Sequence, residues 1–426
     1  MYISKLHLKN FRNVAEATFR FRRNFTVVIG VNGKGKSTIL QGLRIASGAF
    51  LLGIPEVKSR HIQDEEIRLK QETTYLASQT PVLVEATGMV SDENEITWRR
   101  RIPTGKRKTT SSAEDVGQIR ELGLRKYEQM LAGGENGDHL DLPVIAFFGT
   151  SRVHGAARKR GSRIGRQIFK EGYHDWFEMK SSTFGFEEFL GSFEVLSEEN
   201  REHSEGKEVL LNTILKANPQ YLKRVAWAND ELWLHVEMEG ETSSTMPLSL
   251  HSDGVRTYTE MVAELAYRCI VLNGYKGANA VSDTKGVVLI DELDIHLHPS
   301  WQKHVVDDLQ AAFPKIQFIA TTHSPFIVQS LSEDELINLD YEGSVNPSSL
   351  SLEDVAEEIM GVESAFSIES ETLESLSKNY LEVLDKSEKA NRGIDETAVE
   401  TLDEIESQIS DPVSYTHLTL PTICSV

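Results

Sequence analysis

Gly30-Val31-Asn32-Gly33-Lys34-Gly35-Lys36-Ser37-Thr38 fits the spacing G-x-x-x-x-G-K-[ST] and lies between an apolar run, FTVVI at 25–29, and a helical pattern. Glycines let successive backbone N–H groups turn inward around phosphate oxygens, and a helix start adds partial positive charge. In such a loop Lys36 reaches the β- and γ-phosphates of a nucleoside triphosphate and the Ser37 hydroxyl ligates Mg2+. Gly30, Asn32, Gly33, Gly35, Lys36, Ser37 and Thr38 are the expected nucleotide-binding residues. A second group follows the apolar run Val287 to Ile290, which leads directly into Asp291 and Glu292. The C-terminal end of a central strand is where an α/β sheet presents ligands. Asp291 suits the Mg2+ shell, and Glu292 can polarise an attacking water.

Thr321-Thr322-His323-Ser324-Pro325 follows another apolar strand, so His323 can contact a γ-phosphate and position that water. His296 and His298 lie just past Glu292, but two histidines without a thiolate make a poor zinc set. Ser252-Asp253-Gly254-Val255-Arg256 precedes a helical stretch, and a Ser and a Gly at a helix start form another anion nest. One nucleotide does not easily need two nests on one subunit. The expected resolution is a dimer in which Ser252 and Gly254 close on the other subunit's γ-phosphate.

These groups need strands and helices to aim them. Residues 3–9 and 25–29 read as strands, with a helix from about Ser37 to Ala46. VLVEATGMV and EITWRR read as strands, 112–133 as helical, LPVIAFF as a buried strand, and 173–218 as mostly helical. Strands are expected at 230–238 and around Leu248, and a helix from Met261 to Ile270. GVVLI (286–290) and IQFIATT (316–322) read as buried strands joined by a helix of about a dozen residues, which makes a βαβ unit. The expected organisation is an N-terminal lobe over 1–60, a strand-rich then helical insertion over 61–245, and a C-terminal lobe over 246–345. An acidic helical tail over 346–412 follows. The last residues, 413–426, carry no acid and resemble translated adapter sequence, so the native chain is expected to end near Pro412.

Lys plus Arg number 45 and Asp plus Glu 65, a net charge of −20, which argues against a uniformly basic surface. Between Glu353 and Asp411 there are 18 acidic and four basic residues, so most of that charge sits in the tail. Two basic clusters remain: Arg99, Arg100, Arg101, Lys106, Arg107 and Lys108; and Arg152, Arg158, Lys159, Arg160, Arg163 and Arg166. Each reads either as a solvated loop or as a surface for the phosphates of nucleic acid. Cys269 and Cys424 cannot make a disulfide framework, which fits a cytoplasmic protein. No run of 18 apolar residues is present, so a membrane-spanning class is excluded.

The order GVNGKGKS, SDGVR, VVLIDE with LDIHLHP, then TTHSP resembles the ABC-type ATPase heads of the RecF, SMC and Rad50 class. There these are the Walker A, signature, Walker B, D-loop and histidine-switch motifs. The resemblance implies an α/β P-loop NTPase head with an inserted mixed α/β region. It also implies ATP and Mg2+ as cofactors, Asp294 helping to align a closed site, and Arg12 of the opening LHLKNFRNV approaching the nucleotide. More narrowly, LPVIAFFGTSR, GYHDWF and EDVAEEIMGVES resemble compact bacterial ATPases related to the ATPase subunits of Septu and retron anti-phage systems. That likeness implies an HNH-type nuclease partner. A DNA-repair-like ATPase acting on duplex DNA and a nucleotide-gated scaffold remain the alternatives. The stretch between Ser37 and Ser252 does not fit a long SMC-type coiled coil. Gln71 and Gln79 are candidates for a lid-loop glutamine, while Thr150 and Arg152 occupy GTSR, where Arg152 either senses phosphate or caps a strand.

Overall fold

Phe25–Ile29 is apolar or β-branched throughout, the pattern of a strand covered on both faces, and every residue of it is buried. The computed structural model describes residues 1–55, 57–90, 94–106, 108–133, 140–153, 168–178, 185–196, 201–237, 243–341 and 345–362. The chain forms two units, Met1–Val355 and Ala356–Val426. Arg107, the basic residues 158–166, and the expected tail from 363 onward lie outside the described residues. The first unit carries the glycine loop, the acidic pair and the histidine turn.

Its strands are β1 (Tyr2–Phe11), β2 (Val14–Arg20), β3 (Phe25–Ile29), β4 (Leu69–Gln71), β5 (Leu76–Ser78), β6 (Val82–Met89) and β7 (Ile96–Ile102). Then come β8 (Val144–Phe148), β9 (Leu222–Ala228), β10 (Glu231–Val236), β11 (Ser244–Pro247), β12 (Gly286–Ile290), β13 (Ile316–Thr321) and β14 (Leu336–Asn338). The helices are α1 (Lys36–Ser47), α2 (Ala113–Gly133), α3 (Ile168–Gly172), α4 (Phe186–Leu196) and α5 (Arg201–Lys216). They continue with α6 (Asp253–Asn273), α7 (Pro299–Gln302), α8 (Val305–Ala312) and α9 (Pro325–Gln329).

One sheet has the order β14-β3-β13-β12-β8, with every pairing parallel. Ile290 pairs with Ala320 on one side and Phe148 on the other, and Thr321 pairs with Val28. The C-terminal ends of β3, β13, β12 and β8 therefore finish along one edge. A second sheet, β2-β1-β6-β7, is antiparallel, and β11-β10-β9 forms a third. Helix α1 contacts β12 and β13 of the parallel sheet and β1, β6 and β7 of the antiparallel one. Sandwiched between them, it buries Lys36, Thr38–Leu40 and Gly42–Ser47. Phe25 and Phe318 stack at 5.4 Å at the base of the core.

Several expectations need adjustment. The linker between β12 and β13 is two short helices, α7 and α8, rather than one. Around Leu248 the chain is a 3-10 turn after β11, which ends at Pro247. α6 extends beyond Met261–Ile270 at both ends. β2 gives little apolar alternation because it is an exposed edge strand paired only with β1. The first basic cluster is not a loop surface. Arg99, Arg100 and Arg101 belong to β7, where Trp98, Arg100 and Ile102 point inward by strand alternation. The Arg100 guanidinium is fully buried and contacts Ser59 Oγ at 3.2 Å and His61 Nδ1 at 2.9 Å. Arg99 pairs with Glu85 at 2.5 Å and Arg101 with buried Asp115 at 2.9 Å. Those three charges are committed within the protein, leaving Lys106 and Lys108 of the described residues in the turn beyond.

Close backbone approach sets how α2 crosses the 3-10 turn Phe50–Gly53. A Cβ on Gly123 would lie 2.3 Å from the Phe50 carbonyl oxygen, and one on Gly53 would lie 2.1 Å from that of Arg120. A Cβ on Gly117, in the same helix, meets nothing nearer than 3.8 Å. Gly123→Ala is expected to lose about 1–3 kcal/mol through overpacking. Gly117→Ala should gain about 0.5–1 kcal/mol from helix propensity. Thermal unfolding of the two variants checks the contrast; equal Tm values would mean that α2 shifts freely on its support.

Candidate functional site

The loop after β3 curls because Gly33 (φ 87°) and Gly35 (φ 114°) adopt left-handed conformations that L side chains rarely take. It delivers Lys36 and Ser37 to the first turn of α1 at the sheet edge. Lys36 Nζ donates to the carbonyls of Gly30 at 2.5 Å and Val31 at 3.5 Å. Burial pulls its ammonium below the ordinary lysine range, against the opposing pull of Asp340, Asp291, Glu292 and Asp294. Ser37 stays exposed while Thr38 is buried. Asn13 straddles the loop: its Nδ2 donates to the Gly33 carbonyl at 2.8 Å, and its Oδ1 accepts from the Thr38 hydroxyl at 2.7 Å. Sequence reasoning passed over Asn13, although it sits next to Arg12 in the FRN turn. The Thr38 hydroxyl is thereby committed to the loop's own shape.

A cavity of about 580 Å³ opens here. It is lined by Arg12, Asn13, Asn32, Gly33, Gly35, Lys36, Ser37 and Thr38 from the N-terminal segment. Asp291, Glu292, Thr321 and His323 line it from the strand ends, and Glu65, Ile67 and Leu69 close one side. Ten of the expected site residues thus share one space. Glu65, Ile67 and Leu69 carry no motif, since a wall of mixed residues leaves no spacing signal. Gly30 contributes its carbonyl to Lys36 instead of lining the cavity.

Thr321 is the hinge of the acidic cluster. Its hydroxyl donates to Asp291 Oδ1 at 2.6 Å and accepts from the Glu292 backbone N–H at 2.8 Å. Thr322 donates to Asp294 Oδ1 at 2.6 Å, and the His323 N–H reaches the same oxygen at 3.1 Å. Asp294 accordingly acts by holding the segment that carries His323, not by lining the cavity. Glu292 itself has φ 50°, a left-handed backbone that costs a non-glycine residue roughly 1–2 kcal/mol. His298 caps α7 through Ser300.

Arg152 is not at the surface and is not among the residues lining the cavity. It is 3% exposed and donates from Nη1 to the carbonyls of Gly149 at 3.0 Å and Asp291 at 2.6 Å, and from Nη2 to that of Glu292 at 2.6 Å. Burial lowers its pKa to about 10, against the pull of Asp291, Asp294 and Glu292, so it stays charged at neutral pH. Gln71 and Gln79, the lid-glutamine candidates, are not among the residues lining this cavity.

Ser252 and Gly254 are placed elsewhere. They line a separate cavity of about 710 Å³ with Tyr221, His296, His298 and Trp301. Gly254 is required there because a Cβ would fall 2.0 Å from the His296 carbonyl oxygen.

One further acid belongs to the nucleotide loop. Asp340, just past β14, accepts from the Val31 N–H at 2.5 Å and pairs with Lys34 at 3.3 Å. A charge-assisted bond of this kind contributes about 1.5–3 kcal/mol. Asp340→Ala is expected to raise the Kd for a fluorescent ATP analogue about tenfold. Asp340→Asn, which keeps the acceptor without the charge, should stay within about threefold of wild type. An Asn variant as weak as the Ala variant would assign the effect to charge instead of loop geometry.

Residues 25–329 match the family described as "AAA domain, putative AbiEii toxin, Type IV TA system". The chain is similar to the "Retron Vc95 probable ATPase" of Vibrio cholerae, 25% identical over 84% of this chain and 78% of that protein. It is similar to the "Retron Ec83 probable ATPase" of Escherichia coli, 23% identical over 78% and 70% respectively. It also resembles the "Septu protein PtuA" of Bacillus mycoides, 26% identical over 79% of this chain but only 40% of that longer protein. Among solved structures, an SMC head domain from Thermotoga maritima aligns at a TM-score of 0.44 and 15% identity, over 82% of this chain and 97% of that domain. The family match runs from β3 to α9 and takes in the glycine loop, Asp291, Glu292 and His323. This chain is a member of that AAA-domain family, with an α/β P-loop NTPase fold.

Proposed function

We propose that the protein binds ATP with Mg2+ in the 580 Å³ cavity and hydrolyses it between two copies of itself. The observation that supports this reading best is the separation of the two nests. The glycine loop, Asp291, Glu292 and His323 line one cavity, whereas Ser252 and Gly254 line another on the same chain. A two-fold pairing of copies would bring each Ser252 and Gly254 against the partner's triphosphate.

Hydroxyl and carboxylate oxygens suit Mg2+, and Ser37 and Asp291 both line this space. Asp291 Oδ1 already accepts from Thr321, but a carboxylate has about four lone-pair sites, so capacity remains. Bound there, the ion would neutralise charge on the phosphates. Lys36 would exchange its carbonyl contacts for phosphate oxygens. Glu292 would orient a water for in-line attack on the γ-phosphorus and draw off its proton, as the bond to the β-bridging oxygen breaks. His323, held through Asp294, would contact the γ-phosphate, and Arg12 would reach the nucleotide from the FRN turn. In this reading 1–60 and 246–345 supply the two lobes of the head.

Binding energy closes the pair of heads and hydrolysis reopens it, so turnover times a bound state. Relatives named as retron and Septu proteins favour an anti-phage role. An HNH-type nuclease partner is then the effector, docked on the acidic 346–412 segment. Direct contact with duplex DNA, as in a repair-type ATPase, is the second reading. It has fewer candidate residues now that Arg99, Arg100 and Arg101 are internally committed. A nucleotide-gated scaffold with little turnover is the third.

Purified protein should hydrolyse ATP in the presence of Mg2+. Lys36→Ala should lose ATP binding, and Glu292→Gln should bind ATP, turn over at least about 100-fold more slowly, and accumulate as a dimer on size exclusion. Turnover stimulated by duplex DNA and weakened by salt would favour direct DNA sensing. ATP binding without hydrolysis in any condition would leave only the scaffold reading.

A further inference from the structure

Arg152 lies in the 3-10 turn Thr150–Val153, immediately after β8. β8 runs parallel to β12 with Phe148 opposite Ile290, and the Phe148 carbonyl accepts from the Asp291 N–H at 2.8 Å. The turn therefore folds over the end of the strand that carries the two acids. In an extended strand successive carbonyls point to opposite sides. The left-handed backbone at Glu292 breaks that alternation, and the carbonyls of Asp291 and Glu292 both meet the Arg152 guanidinium at 2.6 Å. A planar guanidinium is suited to this task because its nitrogens are spaced as a rigid fork, whereas an ammonium offers one point. From the other side, Thr321 holds Asp291 through its carboxylate and Glu292 through its N–H.

We infer that Arg152 is a positioning residue: by clamping the Asp291 and Glu292 carbonyls it holds Glu292 in the one backbone conformation that aims its carboxylate into the nucleotide cavity. The inference rests on the ATPase reading above and deepens it. The GTSR turn then acts on the protein backbone at the end of β12. The hydrogen bonds of Arg152 run to the carbonyls of Gly149, Asp291 and Glu292, and it does not line the cavity, so its loss is expected to impair the chemical step more than nucleotide binding.

The test compares wild type, Arg152→Ala and Arg152→Lys for ATP turnover, for the Kd of a fluorescent ATP analogue, and for thermal unfolding. Arg152→Ala should keep its Kd within about threefold of wild type while kcat falls about 100-fold, the scale of a misplacement near 1 Å. Added guanidinium at millimolar concentration should restore part of kcat without altering Kd, and Arg152→Lys should lie between. A purely structural role would lower Tm and binding together and would not respond to guanidinium; that result overturns the inference. So does an Arg152→Ala variant with wild-type kcat. If Arg152→Ala fails to fold, Arg152→Lys decides: wild-type kcat overturns the inference, and lowered kcat at unchanged Kd supports it. Absence of turnover in wild type overturns the ATPase reading itself, which the unmutated arm reveals separately.

Discussion

The parallel, in-register pairing of β3, β13, β12 and β8 is the constraint on which the site depends. Each strand is buried along its length, and their C-terminal ends stop on one edge of the sheet. Four chain segments with no local relation to one another emerge there: the glycine loop, the TTHSP turn, the acidic pair and the GTSR turn. A slip of one residue would exchange inward and outward faces and remove the acids from the lysine. The hydrophobic runs that look uninformative about function are therefore what sets the chemistry's geometry.

Charge at this edge is balanced by burial and by hydroxyl groups as much as by ion pairs. Lys36 and Arg152 supply cationic charge; Asp291, Glu292, Asp294 and Asp340 supply the opposing carboxylates. Thr321 and Thr322 fix Asp291 and Asp294 without adding charge, and Asn13 fixes the glycine loop in the same way. The two threonine bonds to carboxylates are charge-assisted and contribute about 1.5–3 kcal/mol each, the Asn13 bonds about 1 kcal/mol, and all of them fix direction as well. Helix α1 carries the loop because it is packed on two sheets at once. Its anchoring bond from Trp98 Nε1 to the Ala46 carbonyl, at 2.9 Å, ties the far end of the helix to β7.

The arginines show how one residue type divides among tasks that only packing can assign. Arg100 and Arg152 are both buried, and burial lowers both to about 10. Arg100 secures the segment containing Ser59 and His61, remote from the acids, while Arg152 grips the acidic turn itself. Arg12, whose backbone is left-handed, stays exposed and lines the cavity. A run of basic residues in the sequence reads as one electrostatic feature. In the folded chain its members face different neighbours.

The glycine loop, the acidic pair and the histidine turn were legible in the sequence because each is a short contiguous motif placed directly after an apolar run. The buried strands that carry them were legible because uninterrupted apolar runs have few other uses. Arg152, Asn13 and Thr321 acquired their roles only in three dimensions, since each acts on backbone or side chains far away along the chain. The strand through Arg99 and Arg100 was legible as EITWRR, but which partner each of Arg99, Arg100 and Arg101 takes was decided only by the folded chain. The placement of Ser252 and Gly254 in a separate cavity was likewise decided by tertiary structure: a nest is a local motif, but the ligand it can reach depends on where α6 begins relative to the sheet edge.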